Sequence, residues 1–573
     1  MSVLQRRNVF GVGALAAVLS LLAGPPAAPV TPPAALASWP AQPESLLIIH
    51  TNDIHAHLLP YVDAKGETVG GAAARAAVIA RLRGGASPRA GANSGAASPS
   101  PKVLLLDAGD VFQGTPFYNA FRGIPDYRSM SLMRYDAGAF GNHELDDGPA
   151  WWLHARAEAK FPILTANVFV SGDSAWAAPL EPVAKELRKG ARWIGGARVP
   201  ESAPLRHITD PYRILDVDGV KVAVLGLTTG DIVSIVSRPR NGGVAVVDPI
   251  AVAEILVPEL RKKADLVVAL THIGVDEDRA LARRVPGIDL IVGGHSHTFL
   301  WEPVLVPNRN ANGYNGTMIV QAGRWGERLG RVAVGLSPGG VRGLAGALIP
   351  VRPSEGEDPA VVAMLQPYRD SIAVITDKVV FTTRSRIPSS GLEEGDTPLG
   401  NWVADVILES AGANVAIINS GGIRAPLPEG TVTVGDVYTV LPFDNTIVTV
   451  PMKGWQIREL FDFIARRYGK HGFAQIAGAQ FKVRRGRATD IRIGGRPLDS
   501  NRTYRVATID YLYTGGDGYT MFEKAGPAEQ TGKMTHDAAV EFLLKHPDYE
   551  FKKRGRIVWE GGMPMRDMMR SPR

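Results

Sequence analysis

Five short segments carry side chains able to hold divalent cations. They are Asp53-Ile54-His55, Gly109-Asp110, Gly141-Asn142-His143-Glu144, Thr271-His272 and Gly293-Gly294-His295-Ser296-His297. Each follows, or nearly follows, a short apolar run. Two cations about 3.5–4 Å apart need about seven or eight protein donors, one of them a bridging carboxylate. Imidazole, carboxylate and an Asn carbonyl are suitable donors. An Asp-x-His or His-x-His pair at a strand end would aim both side chains the same way, because strand side chains alternate with period two. A lone His is more often a structural hydrogen-bonder, and Asp-Gly or Asn-His pairs usually form turns. Five such segments in one region favour a shared two-metal centre.

Three loops farther along could hold a ligand. Asn419-Ser420-Gly421-Gly422-Ile423-Arg424 combines glycines that allow close backbone approach with a guanidinium fork suited to phosphate. Leu441-Pro442-Phe443-Asp444-Asn445 offers an aromatic ring. Tyr511 precedes the tight Gly515-Gly516-Asp517-Gly518-Tyr519 loop. On the residues alone, core packing is the favoured reading of Phe443 and Tyr511, ahead of ligand stacking.

The elements that must position these groups alternate. Apolar runs at 46–50, 103–106, 212–217, 221–227, 266–270 and 289–292 read as buried strands. Helical stretches fall at 72–83, 150–160, 250–263 and 276–284. Alternation of this kind predicts a layered α/β domain over 46–352 with its polar clusters at strand ends. A Gly/Ala/Ser/Pro-rich insertion occupies 84–101. A polar break at 353–358 and one helix to 375 form a linker, expected to hinge. A second α/β domain follows over 376–560, with a tail at 561–573.

The chain has 573 residues, 63 basic against 57 acidic, and no run of Lys or Arg of the kind that tracks a nucleic-acid backbone. It contains no cysteine, which excludes thiolate ligands, a thiol nucleophile and lipid attachment at an N-terminal Cys. Residues 1–37 read as an export signal, with Arg6 and Arg7 ahead of the apolar stretch Phe10 to Ala23 and an Ala35-Leu36-Ala37 cleavage site. The paired arginines admit the twin-arginine route, although Val9 stands where that motif prefers Phe. An uncleaved anchor is the alternative. Residues 38–45 are a leader. A periplasmic or extracellular location is the expectation, with no membrane contact after signal removal.

The order of the five segments resembles the calcineurin-like metallophosphoesterase family. The strings His50-Thr51-Asn52-Asp53-Ile54-His55 and Gly141-Asn142-His143-Glu144-Leu145-Asp146 look like its 5′-nucleotidase branch, and the similarity runs from about residue 46 to 525. The resemblance implies an α/β fold: an N-terminal α/β/β/α metallophosphoesterase sandwich, a linker helix and a C-terminal α/β nucleotide-recognition domain. It implies two divalent cations such as Zn or Mn. Asp53, His55 and His297 would hold one, Asn142, His272 and His295 the other, with Asp110 between them. His143 and Asp146 match the family's catalytic pair, and a metal-bound hydroxide would attack phosphorus. Phe443 and Tyr511 would sandwich a base, with Asn419, Arg424 and Asp517 contacting the rest of a nucleotide.

Asp107 and His57 are candidates to support the ligands, or simply turn residues. His50, His154, His207, His471, His536 and His546 fit no ligand pattern. One departure stands out. The family usually carries a further Arg before its Leu-Gly-Asn string, here Leu399-Gly400-Asn401, and Glu393, Glu394 and Asp396 occupy that stretch instead. Arg384 and Arg386 lie upstream. The implied activity is hydrolysis of 5′-nucleotides. A 2′,3′-cyclic-nucleotide phosphodiesterase, a nucleotide-sugar pyrophosphatase and a nucleotide-binding protein without turnover are the alternatives.

Overall fold

Two six-stranded sheets face each other in the first half of the chain. One runs in the order 340–350, 328–337, 46–51, 103–107, 137–139, 163–164, and the other 212–217, 220–228, 266–272, 290–293, 316–320, 304–307. The central strands of both are parallel. This is a computed structural model, and it describes residues 46–63, 66–84, 102–171, 192–194, 205–230, 232, 244–308, 316–337 and 340–560. The expected export signal and leader, residues 85–101 of the insertion and the tail lie outside the described residues.

Strand periodicity explains the layering. Leu46, Ile48, Leu104 and Leu106 point between the sheets and meet Val222, Val224, Leu266, Val268, Leu290 and Val292. Their sequence neighbours Leu47, Ile49 and Leu105 point outward to Val78, Ile79, Tyr127 and Met130 of covering helices. On the other sheet Ala223, Leu225, Val267 and Ala269 meet Val252, Ala253 and Val257 of helix Pro249–Arg261 and Leu281 of helix Val275–Arg284. Strands buried on both faces read as continuous apolar runs. The result is the expected α/β/β/α sandwich. The long antiparallel hairpin Arg328–Ser337 and Gly340–Pro350 is an addition to the expected strands. Its glycines and arginines break the apolar pattern.

Helix Pro359–Thr376 starts on an Asp358 cap, whose side chain accepts from Ala360 N and Val361 N. It buries Val361 and Leu365 in the outer-helix core of the first half, with Met364, Tyr368 and Ile372 packed beside them. The Tyr368 ring stands 4.8 Å from that of Phe121.

Beyond it, a five-stranded sheet runs 474–477, 415–419, 503–509, 446–453, 529–534. Helices Pro398–Ala411, Gly454–Ala465 and Thr535–Lys545 cover it, burying Trp402, Phe461 and Leu543. The loops leaving strands Val415–Asn419 and Thr503–Ile509 face the metal-capable segments of the first half. The described residues, from Leu46 to Glu560, form one compact unit.

Candidate active site

The five segments converge. Three groups of metal-capable side chains form within one cluster: Asp53, His55 and His297; His55, Asp110 and His143; Asp110, His272 and His295. Asp110 Oδ2 is 3.0 Å from His272 Nε2 and 3.8 Å from His55 Nε2, which places it centrally. Asp53 Oδ1 is 3.3 Å from His297 Nε2. Asn142 Oδ1 is 2.9 Å from His295 Nδ1.

The pairs do not converge by strand alternation. Strand Leu46–Thr51 ends before Asp53, and strand Leu290–Gly293 ends before His295. Asp53, His55, Asp110, His295 and His297 instead have φ of 51°, 50°, 54°, 76° and 53°. Left-handed backbone at non-glycine residues is uncommon and clusters at functional sites. Glycines let the turns nest. A Cβ on Gly141 would fall 2.3 Å from Asp110 Oδ1, and one on Gly294 2.7 Å from Ala108 O.

The donors fit two divalent cations. His55 Nδ1 donates to Phe112 O at 2.9 Å and His272 Nδ1 to Ala108 O at 2.7 Å, which leaves both Nε2 lone pairs facing inward. His55 Nε2 meets His297 Nε2 at 3.0 Å. Burial, reinforced by the Arg424 charge, holds His55 well below the usual imidazole range, so its ring is neutral. Burial likewise pushes His295 down to about 3. Burial opposes a charge on His272, yet Asp110 and Asp53 outweigh it and raise the ring to about 10. The carboxylates thus hold a proton where a cation would supply the balancing charge.

His143 Nδ1 donates to Asp146 Oδ2 at 2.6 Å, and its Nε2 lies 4.0 Å from Asp110 Oδ2. Its backbone N–H donates to Asp110 Oδ1 at 3.0 Å. Burial alone would discharge the ring, but Asp146 and Asp110 raise its affinity for a proton above the ordinary value.

The second half closes over this cluster through a cleft with two lobes. One lobe is lined by His143, Asp146, Asn419, Arg424, Phe443 and Tyr511. The other is lined by His297, Arg324, Trp325, Glu393, Arg424 and His471, among others. Phe443 stacks on His143 with ring centroids 5.8 Å apart. Asp517 accepts from Asn419 Nδ2 at 2.7 Å and from the Tyr511 hydroxyl at 2.9 Å. Asn119 Nδ2 and Arg122 Nη2, from the first half, donate to Asp444 beside Phe443.

The calcineurin-like phosphoesterase family model matches residues 46–299, and the 5′-nucleotidase C-terminal domain model matches 372–524. A 5′-nucleotidase of Vibrio cholerae is 30% identical, over 95% of this chain and 98% of its own. The chain belongs to the 5′-nucleotidase family. A solved 5′-nucleotidase precursor from Thermus thermophilus is 31% identical with a TM-score of 0.75, covering 90% of this chain and 99% of that one. The trifunctional nucleotide phosphoesterase protein YfkN of Bacillus subtilis is 33% identical over 87% of this chain, which spans only 34% of that longer protein. The enzyme is a metal-dependent phosphoesterase, and its family uses two divalent cations.

The roles of Glu144 and His471 escape sequence reasoning. Glu144 accepts from the backbone N–H of Gly141, Asp110, Val111 and Phe112, clamping the Asp110 loop. Its place beside Asn142 and His143 was the only signal. Asp107 accepts from Thr51 Oγ1 and Gly109 N, while His57 donates to His55 O and stacks 4.3 Å from the Trp325 ring. Both therefore brace turns that carry metal-capable side chains. His471, read as structural, lines both lobes and stands 3.4 Å from Asp517 Oδ1. Neither Arg384 nor Arg386 lines either lobe, and Arg386 Nη1 donates to Val62 O and Asp63 O. Asp396 Oδ2 accepts from Asn401 Nδ2 and Gly555 N, a structural use.

Proposed function

We propose that the enzyme hydrolyses the phosphoester of nucleoside 5′-phosphates, releasing nucleoside and phosphate. The supporting observation is that an aromatic ring and a guanidinium from the second half, Phe443 and Arg424, sit directly on the metal-capable cluster. Arg424 Nη2 is 3.4 Å from His55 Nε2, and Phe443 stacks on His143. Relatives named 5′-nucleotidase and nucleotide phosphoesterase point the same way.

In this reading Asp53, His55 and His297 would hold one cation and Asn142, His272 and His295 the other, and Asp110 would serve both. When bound, the cations supply Lewis acidity toward phosphoryl oxygens and lower the pKa of water. Arg424 binds the non-bridging phosphoryl oxygens with its fork. His143, oriented by Asp146, stabilises the developing charge or protonates the leaving oxygen through Nε2. Phe443 and Tyr511 stack on the base, and Asp517 accepts from ribose hydroxyls. The cleft shields the reacting phosphorus from bulk water. We place the junction between the halves after Thr376, because the helix before it packs with the first half. We also propose a periplasmic or extracellular location, on the strength of the export signal read in residues 1–37. Among the described residues no helix is long and apolar enough to cross a membrane.

A second reading, cleavage of a larger nucleotide conjugate, draws support from the lobe beside His297, which leaves room beyond the phosphate. A turnover panel tests both: metal-loaded enzyme against AMP, UDP-glucose, 2′,3′-cyclic AMP and an aryl phosphate. The proposal expects AMP to lead in kcat/KM. Equal rates on all four would sink the nucleotide pocket.

A further inference from the structure

A cationic hairpin turn stands outside the cleft. Strands Ala479–Arg484 and Arg487–Ile493 pair in antiparallel fashion, and Arg485 and Gly486 form the two-residue turn between them, with φ of 51° and 72°. Turns of this length take positive φ at both positions and favour Asn-Gly or Asp-Gly. Arg485 adopts the left-handed backbone at a steric cost that Asn partly avoids. Arg484 and Arg487 stand directly opposite each other across the pair. Like charges so placed repel. Two local choices therefore oppose stability, and both put positive charge at the turn. Departures of this kind are expected at functional positions.

A further guanidinium joins them. Arg466 follows helix Gly454–Ala465, and a Cβ on Gly486 would lie 3.9 Å from its Cγ, so its stem packs against the turn. Arg466, Arg484, Arg485 and Arg487 are all exposed. Among the described residues none of these side chains has an ion-pair partner. Farther along the same hairpin the charges are balanced. Lys482 pairs with Asp490 at 3.6 Å and Glu560 at 2.9 Å, and Arg492 pairs with Asp490 at 3.1 Å. Those acids neutralise the body of the hairpin and leave its turn cationic.

Two aromatic rings flank the turn. Trp559 pairs with Val483 from the neighbouring strand Ile557–Trp559, and Tyr468 follows Arg466 by two residues. Both are half-buried, with ring centroids 4.5 Å apart. Trp and Tyr beside basic residues suit a boundary between lipid and water. None of these residues lines either lobe of the cleft. An exposed turn has no walls to close around a small anion, but it can lay several guanidiniums on a broad anionic surface at once. We propose that this turn docks the enzyme on an anionic lipid bilayer, with the arginines among the headgroup phosphates. The contact is peripheral and needs no spanning helix. It goes beyond the expectation of no membrane contact after signal removal.

Co-sedimentation of the metal-loaded enzyme with vesicles tests this. One set is phosphatidylcholine alone, and the other contains about a quarter phosphatidylglycerol, which makes it anionic. The ratio of the two partition constants cancels whatever the apolar N-terminal stretch contributes to both. Each Lys or Arg beside an anionic bilayer is worth about fivefold. The wild-type ratio should therefore be about 10² or more at low salt, and most of it should vanish at about 1 M salt, where charges are screened within about 3 Å. Arg484→Gln/Arg485→Asn/Arg487→Gln should lower the ratio about 10²-fold without lowering the thermal unfolding midpoint, since Asn suits the turn. Lysine at the same positions should keep most of it. Lys262→Gln/Lys263→Gln/Arg283→Gln, which removes equal charge from exposed positions of the metal-bearing half, should leave it nearly unchanged. The proposal is overturned if the wild type does not prefer anionic vesicles, if the turn variant keeps the preference, or if both triple variants lose it equally, the mark of net charge alone. If the turn variant misfolds, Arg466→Gln should still cost about fivefold, and no loss there overturns the proposal. Tighter binding to a DNA duplex than to anionic vesicles at equal phosphate concentration would overturn the lipid assignment.

Discussion

Arg424 and His55 lie 369 positions apart, yet Arg424 Nη2 is 3.4 Å from His55 Nε2. A guanidinium placed against an imidazole held neutral by burial gains little from that contact. In the proposed function that fork binds the phosphoryl oxygens. Arg424→Ala should therefore lower kcat/KM for AMP about 10–100-fold, the range expected for losing one or two charge-assisted hydrogen bonds. Arg424→Lys should recover little, because an ammonium cannot reproduce the bidentate geometry. Steady-state kinetics on the two variants, with inorganic phosphate as competing inhibitor, measure this. Recovery of full activity by lysine would contradict it.

Glu144 holds the Asp110 loop through backbone N–H groups on Gly141, Asp110, Val111 and Phe112. An amide side chain turns one acceptor oxygen into a donor facing those same N–H groups. Glu144→Gln should weaken cation binding about 10–100-fold, the usual effect of removing a group that orients ligands. Metal titration of the stripped protein, followed by calorimetry, reads the change. Wild-type affinity in the variant would show the clamp to be dispensable.

His143 presents Nε2 to the cluster because Nδ1 is committed to Asp146 Oδ2 at 2.6 Å. His143→Ala should cut kcat by about 10²–10⁴ for substrates with a poor leaving group, as loss of general-acid or charge-stabilising help does. Asp146→Asn should cost less, since the ring remains. For an activated aryl phosphate both losses should shrink, because its leaving group needs no proton. A uniform loss across leaving groups would assign His143 to binding instead.

Phe443 lines the lobe opposite Arg324 and stacks 5.8 Å from the His143 ring. Removing a stacking face is worth about 1–3 kcal/mol per base. Phe443→Ala should raise KM for AMP about tenfold or more while affecting an aryl phosphate far less. Competition by adenosine gives an independent binding measure. Equal effects on both substrates would make Phe443 a packing residue.

Much of this was legible in the sequence because buried parallel strands are uninterrupted apolar runs, and the polar groups that follow them stand out. Helix 72–83 and strand 212–217 have the expected bounds. The donor types in the five segments, and their strand-end positions, depend only on local chemistry. The hairpin 328–350 did not show, because its strands are glycine-rich and pair mainly with each other and one edge of the sheet.

The sequence by itself determined which side chains could bind cations, phosphate and a base, since residue type sets donor chemistry. The tertiary structure alone decided how they meet. Left-handed turns, not strand pleat, aim Asp53, His55, His295 and His297 inward. Packing of the second half against the first sets Arg424 and Phe443 over the cluster and puts Arg324 on the far wall of the cleft. These are contacts across hundreds of residues, fixed by how two independent cores dock, and no local pattern encodes that distance.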